Sequence, residues 1–277
     1  MRLNIILAIA FSTAVLSIAS ASYLNVEGPI TATLYNNGSL YLGKVGPGES
    51  FYILGNSSTT NSKGTIVNIG WDSLSAVSLP QGWSSQQSPL YENPMKTKIT
   101  VAPNAANGTY EMVLKAINIG NYSGLGNLTV KAYVNVTTNV FNLGVSPLDL
   151  VSGINQPANL YVTINNTGIS DDPFIISVQG LPGSNLTQQV ISLHSTKNTF
   201  VYPVYAGEPG IYNLNLTVSS SSSPLIKESY HAKLSIKESL SNDYNAVGNG
   251  VILSPVIFEP AYAIMSLLYS IESNLFH

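Results

Sequence analysis

Two stretches of this chain superpose at a single offset of 102 residues, and that internal repeat constrains the fold more than any other feature of the sequence. Leu79-Pro80 falls on Leu181-Pro182, Gly108-Thr109-Tyr110 on Gly210-Ile211-Tyr212, and Met112, Leu114 and Ala116 on Leu214, Leu216 and Val218. The next apolar set, Leu128, Val130, Ala132 and Val134, then falls on Tyr230, Ala232, Leu234 and Ile236. Further upstream, Phe51-Tyr52-Ile53-Leu54-Gly55-Asn56 aligns with Tyr161-Val162-Thr163-Ile164-Asn165-Asn166 only across a gap. Apolar and polar residues alternate through these stretches, the period of a half-buried strand, and Gly, Pro, Asn and Ser punctuate the runs.

A unit of about one hundred residues is too long for a solenoid repeat and matches the size of an immunoglobulin-like sandwich. The predicted fold class is all-β: two tandem immunoglobulin-like β-sandwiches over 22–138 and 139–238, then a polar spacer over 239–250 and a hydrophobic, amphipathic helix within 251–277. The link Thr137-Thr138-Asn139 is short, which predicts limited hinge freedom between the units. The 277 residues include no Cys, so each core holds without a disulfide, and thiolate metal sites and Cys nucleophiles are excluded.

Residues 1–21 read as a signal peptide. Met1-Arg2 is the positive start, Ile5 to Ala19 is a nearly unbroken apolar run, and Ala19-Ser20-Ala21 offers small residues for cleavage before Ser22. An uncleaved anchor is the alternative, although the run is shorter than the roughly 20 residues that span a bilayer as a helix. Arg2 is the sole Arg, so the mature chain would carry Lys as its only strong base. Eleven basic against fourteen acidic residues, with no basic stripe, give phosphate nothing to cluster on, and nucleic acid is not an expected partner.

The segment Leu79-Pro80-Gln81-Gly82-Trp83, followed by Lys98-Ile99-Thr100-Val101-Ala102-Pro103-Asn104-Ala105-Ala106-Asn107-Gly108-Thr109-Tyr110, resembles the sandwich domain appended to some bacterial α-galactosidases. It also resembles the cell-adhesion-related domains repeated in archaeal and bacterial envelope proteins. The second copy keeps Gly180-Leu181-Pro182 and Glu208-Pro209-Gly210-Ile211-Tyr212 but lacks the Trp and the Asn-Ala-Ala-Asn run. The resemblance implies a mostly noncatalytic sandwich and carries fold further than function.

Strand faces supply the most informative chemistry. In Asn127 to Val136, Leu128, Val130, Ala132, Val134 and Val136 point one way and Asn127, Thr129, Lys131, Tyr133 and Asn135 the other. Nine Asn-x-Ser/Thr sequons make candidate glycosylation sites of Asn37, Asn56, Asn107, Asn121, Asn127, Asn135, Asn165, Asn185 and Asn215. About five would arise from composition alone, so the outward placement of Asn127, Asn135 and Asn215 carries the extra weight. Only 9% of residues are charged, and on such a surface glycans would take over part of the solubilising role of charge.

No catalytic motif is visible. His194, His231 and His277 are not spaced as a helical metal pair, and no Gly-x-Ser-x-Gly elbow or phosphate-cradling loop occurs. Gly46-Pro47-Gly48 and Asp171-Asp172-Pro173 read as turns rather than as a phosphate loop or Ca2+ ligands. Glycosidase chemistry needs two carboxylates across a sugar, and no local pattern nominates a pair. Among aromatics, Trp71 reads as core, whereas Trp83, beside Gly82 and Ser84, is a candidate ligand-facing ring as well as a candidate core residue.

Val251 to Ile271 has a length that suits a membrane span, but Glu259 near its centre opposes one. Pro260 reads as the start of a helix on which Ile264, Leu267, Leu268, Ile271 and Leu275 share a face for membrane or partner docking. The expectation is a noncatalytic, secreted or membrane-associated glycoprotein of the cell envelope, of archaeal type, acting as a structural, adhesive or scaffolding module. Its partners would be envelope proteins or surface glycans, with membrane contact through 251–276 and no cofactor. A carbohydrate-binding accessory module and a filament subunit assembled by strand donation are the alternatives, and an enzyme is the reading least supported.

Overall fold

The computed structural model describes residues 23–56, 59–60, 66–67, 70–120, 126–182 and 186–237. Residues 1–21, read above as a signal peptide, Asn121, Asn185, the expected spacer and the C-terminal segment with Ile264, Leu267, Leu268, Ile271 and Leu275 lie outside the described residues.

Alternating sequence becomes strand throughout the described part, which contains no helix. In the first half these are β1 (Tyr23–Gly28), β2 (Ala32–Tyr35), β3 (Ser39–Val45), β4 (Ser50–Asn56), β5 (Thr59–Thr60), β6 (Ile66–Val67), β7 (Ser73–Ser78), β8 (Ser84–Gln86), β9 (Met95–Thr100), β10 (Gly108–Ile117) and β11 (Leu128–Val136). The second half holds β12 (Phe141–Ser146), β13 (Asp149–Ser152), β14 (Ala158–Asn166), β15 (Asp172–Gln179), β16 (Leu186–Ser192), β17 (Lys197–Val204), β18 (Gly210–Ser220) and β19 (Lys227–Ile236).

Each half forms two sheets around one core. The first pairs β2-β1-β4-β9-β8 with β3-β11-β10-β7, and the second pairs β12-β14-β17 with β13-β19-β18-β15-β16; β5 and β6 form a separate ribbon. In both halves a short strand runs parallel to the last one, β3 along β11 and β13 along β19, while the remaining ladders are antiparallel. One core gathers Leu24, Phe51, Trp71, Met95, Leu114 and Val130 from both of its sheets. The other gathers Phe141, Leu160, Phe174, Val204, Leu216 and Leu234, with the Phe141 and Phe174 rings 4.8 Å apart.

The alternation of β11 is as the sequence reads: Leu128, Val130, Ala132, Val134 and Val136 are buried, and Thr129, Lys131, Tyr133 and Asn135 are not. Two details of the repeat are corrected. Tyr110 pairs with Val134 and Tyr212 with Leu234, so the last strands correspond at an offset of 100 rather than 102. An even slip keeps every side chain on its face, so the inward set survives. The upstream alignment slips by an odd step: Phe51 is buried whereas Tyr161 is 46% exposed, and the residues of β14 that match the core side of β4 are Leu160, Val162 and Ile164. The 102 offset is kept at the start of β10 and β18, where the Tyr110 hydroxyl donates to the Ala106 carbonyl at 3.0 Å and the Tyr212 hydroxyl to the Glu208 carbonyl at 2.9 Å. A Tyr tied to the chain four residues upstream at this corner is a hallmark of immunoglobulin-type sandwiches.

Candidate functional site at the junction of the two sandwiches

Two turns that look unremarkable in sequence meet in space. The turn between β3 and β4, Gly46 to Glu49, packs against the segment 168–172 before β15 and the loop 220–226 between β18 and β19. The Ile169 amide donates to the Lys44 carbonyl at 2.9 Å, and the Ser170 hydroxyl donates to the Ser50 carbonyl at 2.6 Å. Ile169 is buried with the core of the first sandwich, and the Ile226 side chain fills the space over Gly46. Gly48 has φ +80° and passes so close to the next unit that a Cβ would lie 2.6 Å from the Ser222 carbonyl oxygen. Only glycine tolerates both conditions.

At the centre of this contact are two carboxyl groups from different sandwiches, Glu49 and Asp172, with exposures of 2% and 0%. One Glu49 oxygen accepts the Gly46 amide at 2.7 Å, closing the turn on itself. One Asp172 oxygen accepts the Ser222 hydroxyl at 2.7 Å. The two carboxyl groups are close enough to act on each other's protonation. Burial pushes the Glu49 carboxyl up to about 8, with the Gly46 amide working against it and the charge of Asp172 adding to it. Burial likewise raises Asp172, opposed by hydrogen bonds from Ser220 and Ser222.

Next to the pair but facing solvent, Asp171 accepts the His194 main-chain amide at 2.8 Å and contacts its Nδ1 at 2.6 Å. Burial works to raise this carboxyl, but the bonds to His194 and its charge outweigh it and hold Asp171 below the usual carboxylate range. Neither carboxylate of Asp171-Asp172 joins a cluster of metal-ligand type, and no group of three His, Asp or Glu among the described residues is placed to hold a metal ion.

The sequon asparagines among the described residues are exposed or partly exposed. Asn37, at φ 61° in the turn before β3, Asn107 in the turn before β10, and Asn127 are exposed. Asn135, Asn165 and Asn215 are partly exposed on the outward faces of β11, β14 and β18. Three carry local constraints. The Asn56 amide nitrogen donates to Glu27 at 2.9 Å, the Asn127 side-chain oxygen accepts the Asn118 amide at 3.0 Å, and the Asn215 side-chain oxygen is buried without a hydrogen bond.

Trp83 is not a ring presented to a ligand. It is 8% exposed and its ring lies 5.5 Å from that of Tyr110, so it belongs to the first core. Trp71 is buried as the sequence predicts, donating from Nε1 to the Gly126 carbonyl at 3.1 Å. His231 lines an open depression of about 350 Å³ on the outer face of the second sandwich, with Asp149, Asn213 and Lys233. The junction is not legible in sequence because the residues it joins across the two sandwiches lie about 120 or more positions apart; Gly46-Pro47-Gly48-Glu49 and Asp171-Asp172-Pro173 are its local marks, each an ordinary turn signal.

These features define, among the described residues, two all-β sandwich-like units with a buried joint between them. No protein-family model and no curated protein matches the chain. Among solved structures, the chain is similar to the D00-D0 domain of intimin at 10% identity and a TM-score of 0.25, covering 78% of this chain and 100% of that one. It is similar to latent PorU from Porphyromonas gingivalis at 14% identity and a TM-score of 0.25, covering 79% of this chain and 20% of that one. A β-glucosidase from Listeria innocua shares 18% identity over 34% of this chain and 16% of its own, again at a TM-score of 0.25. At that score the likenesses carry no argument about function.

Proposed function

We propose that this chain is a noncatalytic cell-surface protein whose two immunoglobulin-like sandwiches serve as a structural, adhesive or scaffolding module. The observation that carries the reading is the joint: the sandwiches share hydrogen bonds, an exchanged core residue in Ile169 and a buried carboxyl pair. A protein that positions a surface or bears load at a distance needs its units held at a fixed angle, and a chain of independent beads does not provide that. The low charge content and the outward sequons support an extracellular, glycosylated setting. With Trp83 in the core, the carbohydrate-binding alternative loses the ring that suggested it.

Protease shaving of intact cells tests the setting, and comparison of cell attachment and envelope integrity with and without the gene tests the role. Release of peptides from both sandwiches together with an attachment or envelope defect supports the reading. A chain found only inside the cell overturns it. Intact mass before and after enzymatic deglycosylation tests the sequons, with Asn37 and Asn107 expected among the occupied sites.

A further inference from the structure

We propose that the two sandwiches are clasped by one proton shared between Glu49 and Asp172, so that the joint is tight while the proton is held and loosens when it is lost. The geometry forces the issue. As ionised groups both side chains are acceptors only, and the second Asp172 oxygen, buried, has no hydrogen bond. A proton on Glu49 turns it into a donor and satisfies that oxygen across the interface. Two neighbouring carboxylates out of water cannot both stay charged, which is the logic of paired acids sharing a proton.

The surroundings supply no substitute for that proton. The turn carrying Glu49 presents Lys44, which is exposed, and the adjoining segment 100–105 has no ionisable side chain. The loop 220–226 contributes only the hydroxyls of Ser220 and Ser222, and Lys227 beyond it is exposed. On the remaining side Asp171 is turned to His194, with Lys96 acting on Asp171. What sets the protonation of Glu49 and Asp172 is burial, each other, the Gly46 amide and the two serines.

The sign of the pH dependence follows. Glu49 moves from 4.5 in the free chain to about 8 in the fold, so between those values the folded state binds more protons than the unfolded one. Stability then falls as pH rises, is fully present below about 4.5 and is lost through about 8. Raised Asp172 acts in the same direction. This is opposite to the acid denaturation of most folds, and it suits a surface exposed to an acidic medium.

The test is a thermal melting series of the full chain from pH 4 to pH 9, with limited proteolysis at 137–139 as a local readout of the joint. Wild type is expected to lose several degrees toward pH 9 and to become cleavable in the link. Glu49→Gln places a permanent amide donor where the shared proton was, so its profile should be flat over the same range and its link protected at pH 9. Asp172→Asn does the same from the other side and serves if the first variant does not fold. A buried carboxylic C=O stretch should be present in the infrared spectrum of wild type at pH 6 and fade toward pH 9 in step with the loss of melting stability. Parallel profiles for wild type and variants, or no such band in wild type, overturn the proposal. So does a rise in wild-type melting with Ca2+ that is reversed by chelation, since a cation would then hold the two carboxylates together.

Discussion

The two sandwiches share seven strands in the same order; among the described residues the first adds the edge strand β2 and the β5-β6 ribbon, and the two differ in where one further strand goes. β1, β3, β4, β7, β9, β10 and β11 correspond to β12, β13, β14, β15, β17, β18 and β19. β8 and β16 begin at equivalent positions, Ser84 and Leu186, each five residues after the start of a Leu-Pro pair. Yet β8 joins β9 on one sheet, and β16 folds back on β15 on the other. The residue before each strand accounts for the split. Trp83 dives into the first core from a turn in which its amide donates to the Pro80 carbonyl at 3.2 Å and Gly82 sits at φ +79°. Burying that ring draws the chain over the edge of its sheet and leaves β8 three residues long and wholly exposed. The second copy has Asn185 at this position, a side chain with nothing to gain from burial. There the chain returns along β15 from Val178↔Leu186 to Asp172↔Ser192 and buries Val190 instead.

The largest expected effect breaks this comparison at its source. Trp83→Ala should destabilise the first sandwich by about 3–5 kcal/mol, the range for removing a large buried aromatic, as measured by urea unfolding. The signal from the second sandwich should be unchanged, and a loss below about 1 kcal/mol would show that Trp83 does not hold the crossing. Next is the joint, which both units must satisfy. Gly48→Ala introduces a Cβ against the Ser222 carbonyl at a positive φ and should cost about 1–3 kcal/mol, with faster proteolysis between the units.

The shared corner sharpens the comparison. Tyr110→Phe and Tyr212→Phe each remove one hydroxyl-to-carbonyl bond at the same place in the repeat, and each should cost about 1 kcal/mol. Equal losses in calorimetry would mark the corner as common to both frames, whereas an unequal pair would show that Trp83 under Tyr110 has changed the role of the first corner. The smallest effect is at Asp171. Its carboxyl is held low by His194, so its contribution is present above the ordinary Asp range and disappears as pH falls through the lowered value. Both partners are about half exposed, so His194→Ala should move the acid limb of the melting curve by less than about 1 kcal/mol.

Much of the frame was legible from side-chain period. β11 and β18 could be read residue by residue because one face is buried and the other solvated, and only alternation satisfies both. Gly108-Thr109-Tyr110 and Gly210-Ile211-Tyr212 were legible as landmarks of the repeat, whereas the hydroxyl bonds that make each Tyr a corner belong to the folded chain. Trp83 could not be placed from its neighbours, because Gly82 and Ser84 report the turn and not the core beneath it. Nor could the joint be read: Glu49 and Asp172 each follow ordinary turn signals, and their burial depends on a contact made across 123 positions of chain.

By itself the sequence determined that the described part of the chain is all-β and repeated and that the chain is unstapled, because alternation, turn residues and the absence of Cys act locally or by composition. The tertiary structure alone decided which sheet receives β8 and β16, and that two turns meet around a pair of buried acids. The physical reason is the range of the interactions. Strand period is written between residues two apart, whereas sheet choice and carboxyl burial are settled by what the rest of the chain brings to the same place.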